Sequence, residues 1–222
     1  MKAMILAAGR GERLRPLTDT LPKPLIEVCG KPLIVWHLER LAAAGFRDIV
    51  INVSHLGHLI ADALGDGAHW GVAISWSKEA QPLETAGGLA NARDHLGDKP
   101  FLLVNADVYC EYPFALLGKA ALGDSVGRIV MVPNPAFRPQ GDFSLARGKA
   151  GNLSSPRYTY SGIGLMDPRI VDGVAAGAKA PLAPLLRDAA DSGRLDGELF
   201  TGLWNDVGTP ERLAELNRKS AP

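Results

Sequence analysis

Apolar residues along this chain fall into short blocks separated by longer amphipathic stretches. Ala3–Ala7 (AMILA) is an unbroken apolar run, the pattern of a strand buried on both faces. Pro32–Ala44 (PLIVWHLERLAAA) reads as a helix and stops at Gly45, a residue suited to helix ends. The same reading predicts a strand at Asp48–Val53, a helix at Gly57–Leu64 and a strand at Val72–Ser77. A helix at Thr85–Leu96 and a strand at Phe101–Asn105 follow. Strands separated by helices of about 8–14 residues predict βαβ units, hence a parallel sheet with right-handed crossovers and helices on both faces.

After Asp107 the pattern loosens. A helix is expected at Phe114–Leu122 and a strand at Arg128–Val132. Phe143–Leu145 and Asn152–Leu153 would flank a hairpin turn region at Arg147–Gly151. Tyr158–Leu165 reads as a strand, Leu182–Ser192 as a helix, Leu199–Trp204 as the last strand and Pro210–Asn217 as a closing helix. No low-complexity linker and no internal repeat divides the chain. One α/β domain over residues 1–222 is expected, with halves at about 1–107 and 108–222.

Composition narrows the function. Of 222 residues 46% are hydrophobic, enough for one sizeable core. Lys plus Arg (24) equals Asp plus Glu (24), and no basic block exists, which argues against a nucleic-acid partner. Any bound anion must be held by a few placed groups. No apolar run approaches the roughly 18 residues of a membrane span, so no membrane association is expected. The apolar N-terminus ends at Gly9, too soon for a signal peptide. Cys29 and Cys110 stand apart, and two free thiols fit a cytoplasmic protein.

Ligands of open α/β sheets gather beyond the carboxyl ends of strands, so the segment after Ala7 is the first candidate. It runs Ala8-Gly9-Arg10-Gly11-Glu12-Arg13-Leu14-Arg15. The glycines permit a tight path and close approach of backbone amides to a phosphate, and the arginines supply guanidinium forks. Leu14 stands where a Rossmann fingerprint has its third glycine, and no Gly-Lys-Ser/Thr follows, so neither motif applies. By itself the segment fits an ordinary strand-to-loop turn equally well. Pro22-Lys23-Pro24-Leu25 sharpens it. A residue before proline is pushed toward extended backbone, so Lys23 is expected on a stiff extended segment, ready to meet phosphate.

Leu-Ala-Ala-Gly-x-Gly-x-Arg-Leu-x-Pro-Leu-Thr followed by Pro-Lys-Pro-Leu resembles the signature of the sugar-1-phosphate nucleotidyltransferases, and the likeness extends over essentially the whole chain. The resemblance implies a three-layer, Rossmann-like α/β fold with a mixed, mostly parallel central sheet. It implies a reaction in which a sugar 1-phosphate attacks the α-phosphorus of a nucleoside triphosphate, giving a nucleotide sugar and pyrophosphate. The first half would bind nucleotide and the second half sugar. A hexapeptide-repeat acyltransferase domain, appended in some relatives, is not expected here. The sequence carries no sign of oligomeric state.

The same resemblance assigns residues. Arg13 and Lys23 would stabilise charge on the reacting phosphates, with Ala8, Gly9, Gly11 and Glu12 beside them. Gln81, Gly87, Gly88 and Asn105 would complete the nucleotide site; Gln81 offers a donor and an acceptor to a base edge, and the glycine pair lets backbone approach a ring. Mg²⁺ is the implied cofactor, held by Asp107 and by Asp206 of a Trp-x-Asp-x-Gly-Thr-Pro motif. Thr209, Pro210 and Glu211 in that motif make a helix start on their own account. Glu84, Gly141, Tyr160 and Trp204 would meet the sugar.

Glu84-Thr85-Ala86-Gly87-Gly88 looks most like the uridylyltransferases acting on N-acetylmuramic acid 1-phosphate in cell-wall recycling, which favours UTP as donor. Mannose-1-phosphate guanylyltransferases, and glucose-1-phosphate enzymes, are the alternative within the family; the guanylyltransferases usually carry Gly at the position of Glu84. A catalytically silent nucleotide-sugar-binding protein is the alternative outside it. Ala106 replaces a usual Gly, which would strain the metal loop if positive φ were needed there. Arg157 is a candidate partner for the carboxylate of an acidic sugar.

Overall fold

The N-terminal apolar blocks become strands whose alternate residues enter two separate cores. A computed structural model describes residues 1–219. β1 (Ala3–Leu6), β2 (Asp48–Val53), β3 (Ala73–Lys78) and β4 (Phe101–Asn105) lie parallel in the order β3-β2-β1-β4. Ala3 and Ile5 of β1 face one core and Met4 the other; Ile49 and Ile51 of β2 oppose Val50; Leu102 and Val104 of β4 oppose Phe101 and Leu103. α1 (Leu33–Ala43) and α2 (Gly57–Leu64) close the first core, and α3 (Glu84–Asn91) with α4 (Leu182–Asp191) closes the second. That is the three-layer arrangement the resemblance implies.

The sheet continues through the second half. β5 (Gly127–Val132), β6 (Phe143–Ala146), β7 (Lys149–Gly151), β8 (Arg157–Met166) and β9 (Leu195–Leu199) extend it to nine strands in the order β3-β2-β1-β4-β8-β5-β9-β7-β6. β8 is antiparallel to both β4 and β5 and joins the halves. Followed through its pairings, only β7 and β8 run against the other seven strands. At the carboxyl end of β4 a two-stranded ribbon pairs Val108–Cys110 with Trp204–Asp206, and α5 (Pro210–Lys219) follows it. Among the described residues no helix is long and apolar enough to cross a membrane, and Cys29 and Cys110 are free thiols.

Four expectations need correction. The apolar stretch Leu199–Trp204 is not one strand: β9 ends at Leu199 and the chain crosses to the ribbon before Trp204. β9 was hidden because its Asp196 and Glu198 bond to neighbouring side chains, Asp196 to Ser125 and Lys149, Glu198 to Tyr112. The hairpin after β6 is tighter than expected. Its second arm is Lys149–Gly151 rather than Asn152–Leu153, because Arg147 (φ 51°) and Gly148 (φ 76°) both take left-handed backbone, as a two-residue hairpin turn requires. The helix expected at Phe114–Leu122 shrinks to Ala115–Gly118, and the one expected at Thr85–Leu96 breaks at Ala92 into α3 and a short turn, Arg93–Leu96.

Candidate active site

The loop after β1 folds back on itself around Gly11. Gly11 has φ 66°, its carbonyl accepts from Leu14 N–H (2.9 Å) and from the Thr18 hydroxyl (2.9 Å), and a Cβ there would lie 3.3 Å from Lys23 Cβ. Glycine is needed for the backbone angle and for the approach of Lys23. Lys23 does not sit on extended backbone, as the proline rule suggested; it opens a 3₁₀ turn, Lys23–Leu25, whose Leu25 N–H bonds back to Pro22 (2.9 Å). Its rigidity comes instead from burial, at 7% exposure, and from an ion pair of Nζ with Asp107 Oδ2 at 2.7 Å.

These groups line a cavity of about 830 Å³ over the carboxyl ends of β1, β2 and β4. It brings together Ala8, Gly9, Gly11, Glu12, Arg13, Lys23, Gln81, Asn105 and Asp107, all expected, and also Glu84, which the resemblance had given to the sugar. Arg10 joins the wall, while Arg15 turns away to pair with Asp19 at 3.2 Å. Asn105 is seated by Gly162 (φ 81°), at a register shift in β8, where a Cβ would meet Asn105 Nδ2 at 2.8 Å.

Asp206 does not line this cavity as Asp107 does; the ribbon carries it to the wall of a second one. It pairs across to Val108, and Val207 N–H donates to the Asp107 carbonyl at 3.0 Å. Its Oδ2 accepts from Arg212 Nη1 at 3.1 Å, whereas Oδ1 is buried and has no hydrogen-bond partner among the described residues. A Cβ on Gly208 would lie 2.8 Å from Asp206 Oδ1 and 2.9 Å from Arg13 Nη2, so this glycine leaves room for both side chains. Ala106 causes no strain. It is outside the left-handed region, its N–H bonds to Leu6 (3.0 Å), and its methyl group is buried in the first core.

Gly87 and Gly88 are not brought to the cavity surface; both are buried in α3. Gly87 N–H donates to the Ala180 carbonyl, and a Cβ at Gly88 would press on Asn52 Nδ2 (2.7 Å) and Glu79 Oε1 (2.9 Å). Those two side chains are bonded at 2.7 Å, Asn52 Oδ1 accepts from Ala7 N–H, and Glu79 Oε2 accepts from Leu83 N–H. The network ties the loops after β1, β2 and β3 together. Asn52, missed in the sequence, was readable as a polar residue near the end of an apolar strand.

A second cavity, of about 400 Å³, adjoins Asp206 and is lined by Trp204, Asn205, Phe137 and Arg212. Arg212 stacks 3.4 Å above the Phe137 ring. Of the expected sugar residues only Trp204 borders it, with its Nε1 bonded to the Ser161 carbonyl (2.9 Å). Gly141 packs against the start of β8, and the Tyr160 hydroxyl is buried without a partner among the described residues, its pKa pushed up by that burial. Arg157 is not free for a substrate carboxylate, because it donates to the carbonyls of Asn152 and Asp142.

Comparison with known proteins is consistent with this geometry. The nucleotidyl transferase family model matches residues 2–139. N-acetylmuramate alpha-1-phosphate uridylyltransferase of Neisseria meningitidis serogroup B is 51% identical over 97% of this chain and 96% of its own length. Mannose-1-phosphate guanyltransferase of Schizosaccharomyces pombe is 36% identical over 95% of this chain, which spans 62% of that protein. A putative glucose-1-phosphate thymidylyltransferase from Bacillus anthracis superposes over 99% of this chain and 95% of its own at TM-score 0.87 and 20% identity. HddC from Yersinia pseudotuberculosis, complexed with GMP-PN, does so over 99% of each chain at TM-score 0.78 and 22% identity. At those identities the two structures speak for the fold.

Proposed function

This chain belongs to the nucleotidyl transferase family, and from that premise we propose that it transfers the uridylyl group of UTP to N-acetylmuramate α-1-phosphate. The observation that carries the reading is the 51% identity to the Neisseria enzyme along nearly the whole of both chains. A phosphate oxygen of the sugar attacks the α-phosphorus; the bond from that phosphorus to the bridging oxygen breaks, and pyrophosphate leaves with the electron pair. No covalent enzyme intermediate is needed. Lys23 and Arg13 supply fixed positive charge where the phosphorus becomes five-coordinate, and the buried setting of Lys23 keeps that charge in place. The sugar enters beside Asp206, toward Trp204. Consumption of UTP and the free thiols favour the cytoplasm, and the acceptor favours a role in cell-wall recycling.

The carboxylate pair supports Mg²⁺. Among the described residues no group of three or more His, Cys, Asp or Glu side chains is placed to hold a metal ion. Mg²⁺ needs fewer: one or two carboxylates suffice, with waters and phosphate oxygens as its other ligands. Asp206 Oδ1, buried and unpartnered among the described residues, fits such a ligand, and Asp107 directly precedes Val108, the residue paired with Asp206 across the ribbon. The ion would neutralise charge on the triphosphate. Asp206→Asn is expected to raise the Mg²⁺ concentration for half-maximal rate by at least about tenfold, roughly 1.4 kcal/mol; an unchanged metal titration removes Asp206 from the site.

The function is tested by pyrophosphate release from four nucleoside triphosphates against several sugar 1-phosphates. UTP with N-acetylmuramate α-1-phosphate should give the highest kcat/KM. A best pair of GTP with mannose 1-phosphate would overturn the assignment, and no turnover with any pair would make the chain a binding protein.

A further inference from the structure

The turn that opens α3 is clamped from outside, and the clamp lays Lys179 against Glu84. Ala180 N–H donates to the Leu83 carbonyl at 3.0 Å, and the Ala180 carbonyl accepts from Ala86 and Gly87 N–H at 2.9 and 3.0 Å. A Cβ at Gly87 would lie 2.2 Å from the Ala178 carbonyl oxygen, so only glycine lets the two backbones meet. Between these contacts Lys179 extends Nζ to 3.5 Å from Glu84 Oε1. That distance is attractive but long for a hydrogen bond, so both groups keep capacity for a ligand. Glu84 itself is at φ 60°, where a side chain is disfavoured. Both side chains line the large cavity, as Gln81 does.

Sheet order says which part of a nucleotide they would meet. Asp107, with Lys23 on it, follows β4, on one side of β1. Gln81 and Glu84 follow β3, two strands away on the other side of β1. A nucleotide whose phosphates lie at Lys23 and Arg13 therefore directs its base toward Glu84 and Lys179.

We propose that Glu84 and Lys179 select the pyrimidine, the carboxylate accepting from uracil N3–H and the ammonium donating to the adjacent carbonyl oxygen. The inference rests on the uridylyl reading above. Uracil presents acceptor, donor and acceptor along this edge, and a carboxylate beside a cation complements the first two. Cytosine has nearly the same shape but a lone pair at N3 and an amino group at C4. Facing Glu84 and Lys179, it would set lone pair against carboxylate and donor against donor. Both side chains are exposed at the cavity wall until a base covers them, and a mismatched edge laid there leaves carboxylate and ammonium without partners, a penalty that shape alone does not supply.

The test is the ratio of kcat/KM for UTP over CTP, with N-acetylmuramate α-1-phosphate as the common acceptor, in the wild type, Glu84→Gln and Lys179→Ala. Glu84→Gln is isosteric and its amide can donate to cytosine N3. The ratio is expected to fall at least tenfold in that variant and severalfold in Lys179→Ala, while the Mg²⁺ titration stays put. The thymidine nucleotide, with the uracil edge, should follow UTP in every variant. A purely structural role would lower both pyrimidines together and leave the ratio intact. An unchanged ratio in both variants overturns the proposal, whereas a wild type that does not favour UTP over GTP overturns the uridylyl reading instead.

Discussion

Glu84 carries its carboxylate on a backbone that glycine would adopt more easily. The left-handed penalty is about 1–2 kcal/mol, partly offset in a glycine variant by its larger unfolded-state entropy. Glu84→Gly should therefore raise unfolding free energy by about 0.5–1 kcal/mol in urea titration even as it loses substrate discrimination. A less stable variant would mean that the glutamate is held by contacts rather than strained. Lys23 is the opposite case under the proposed reaction, where its contribution is to the chemistry. Lys23→Ala should lose about 2–4 kcal/mol of transition-state stabilisation, roughly 30- to 1000-fold in kcat/KM. Near-normal turnover would remove it from the chemistry.

At the scale of elements, the glycines of α3 are spacers between backbones. Gly87→Ala drives a methyl group into the Ala178 carbonyl, and backbone cannot move aside as a flexible side chain can. A loss of about 1–3 kcal/mol in unfolding free energy is expected. If the variant is as stable as wild type, the segment at 178–180 is not clamped as described. The glycine pair was visible in the sequence, but its packing partners lie some ninety residues on, in a loop with no pattern of its own. β1, β2 and β4 were legible because each is buried on both faces and reads as a nearly continuous apolar run. β9 was not, because its polar residues are satisfied by side chains from other elements.

Across the whole molecule, one sheet end collects groups from both halves of the chain. The loop at residues 8–13, Lys23 and Asp107 were readable because short local motifs carry them. Lys179, Arg212 and Phe137 became visible only when distant loops met. The same closure buries His37 beneath the site, and burial, with Arg40 nearby, lowers its pKa to about 4. Between pH 6.5 and 4 the unfolded chain takes up a proton that the folded chain refuses. His37 thus contributes nothing to this dependence above pH 6.5, and stability falls as pH drops toward 4, by roughly 3 kcal/mol at the full shift. His37→Leu should flatten that part of the stability profile measured by chemical denaturation. An unaltered slope would show that other groups set the acid response.

The central claim is tested most directly by following both products at once, with purified chain, UTP, N-acetylmuramate α-1-phosphate and Mg²⁺. Equimolar pyrophosphate and UDP-N-acetylmuramate are expected from the wild type, and a rate at least about a hundredfold lower from Asp107→Asn. Undiminished product from that variant, or pyrophosphate without the nucleotide sugar from the wild type, would contradict it.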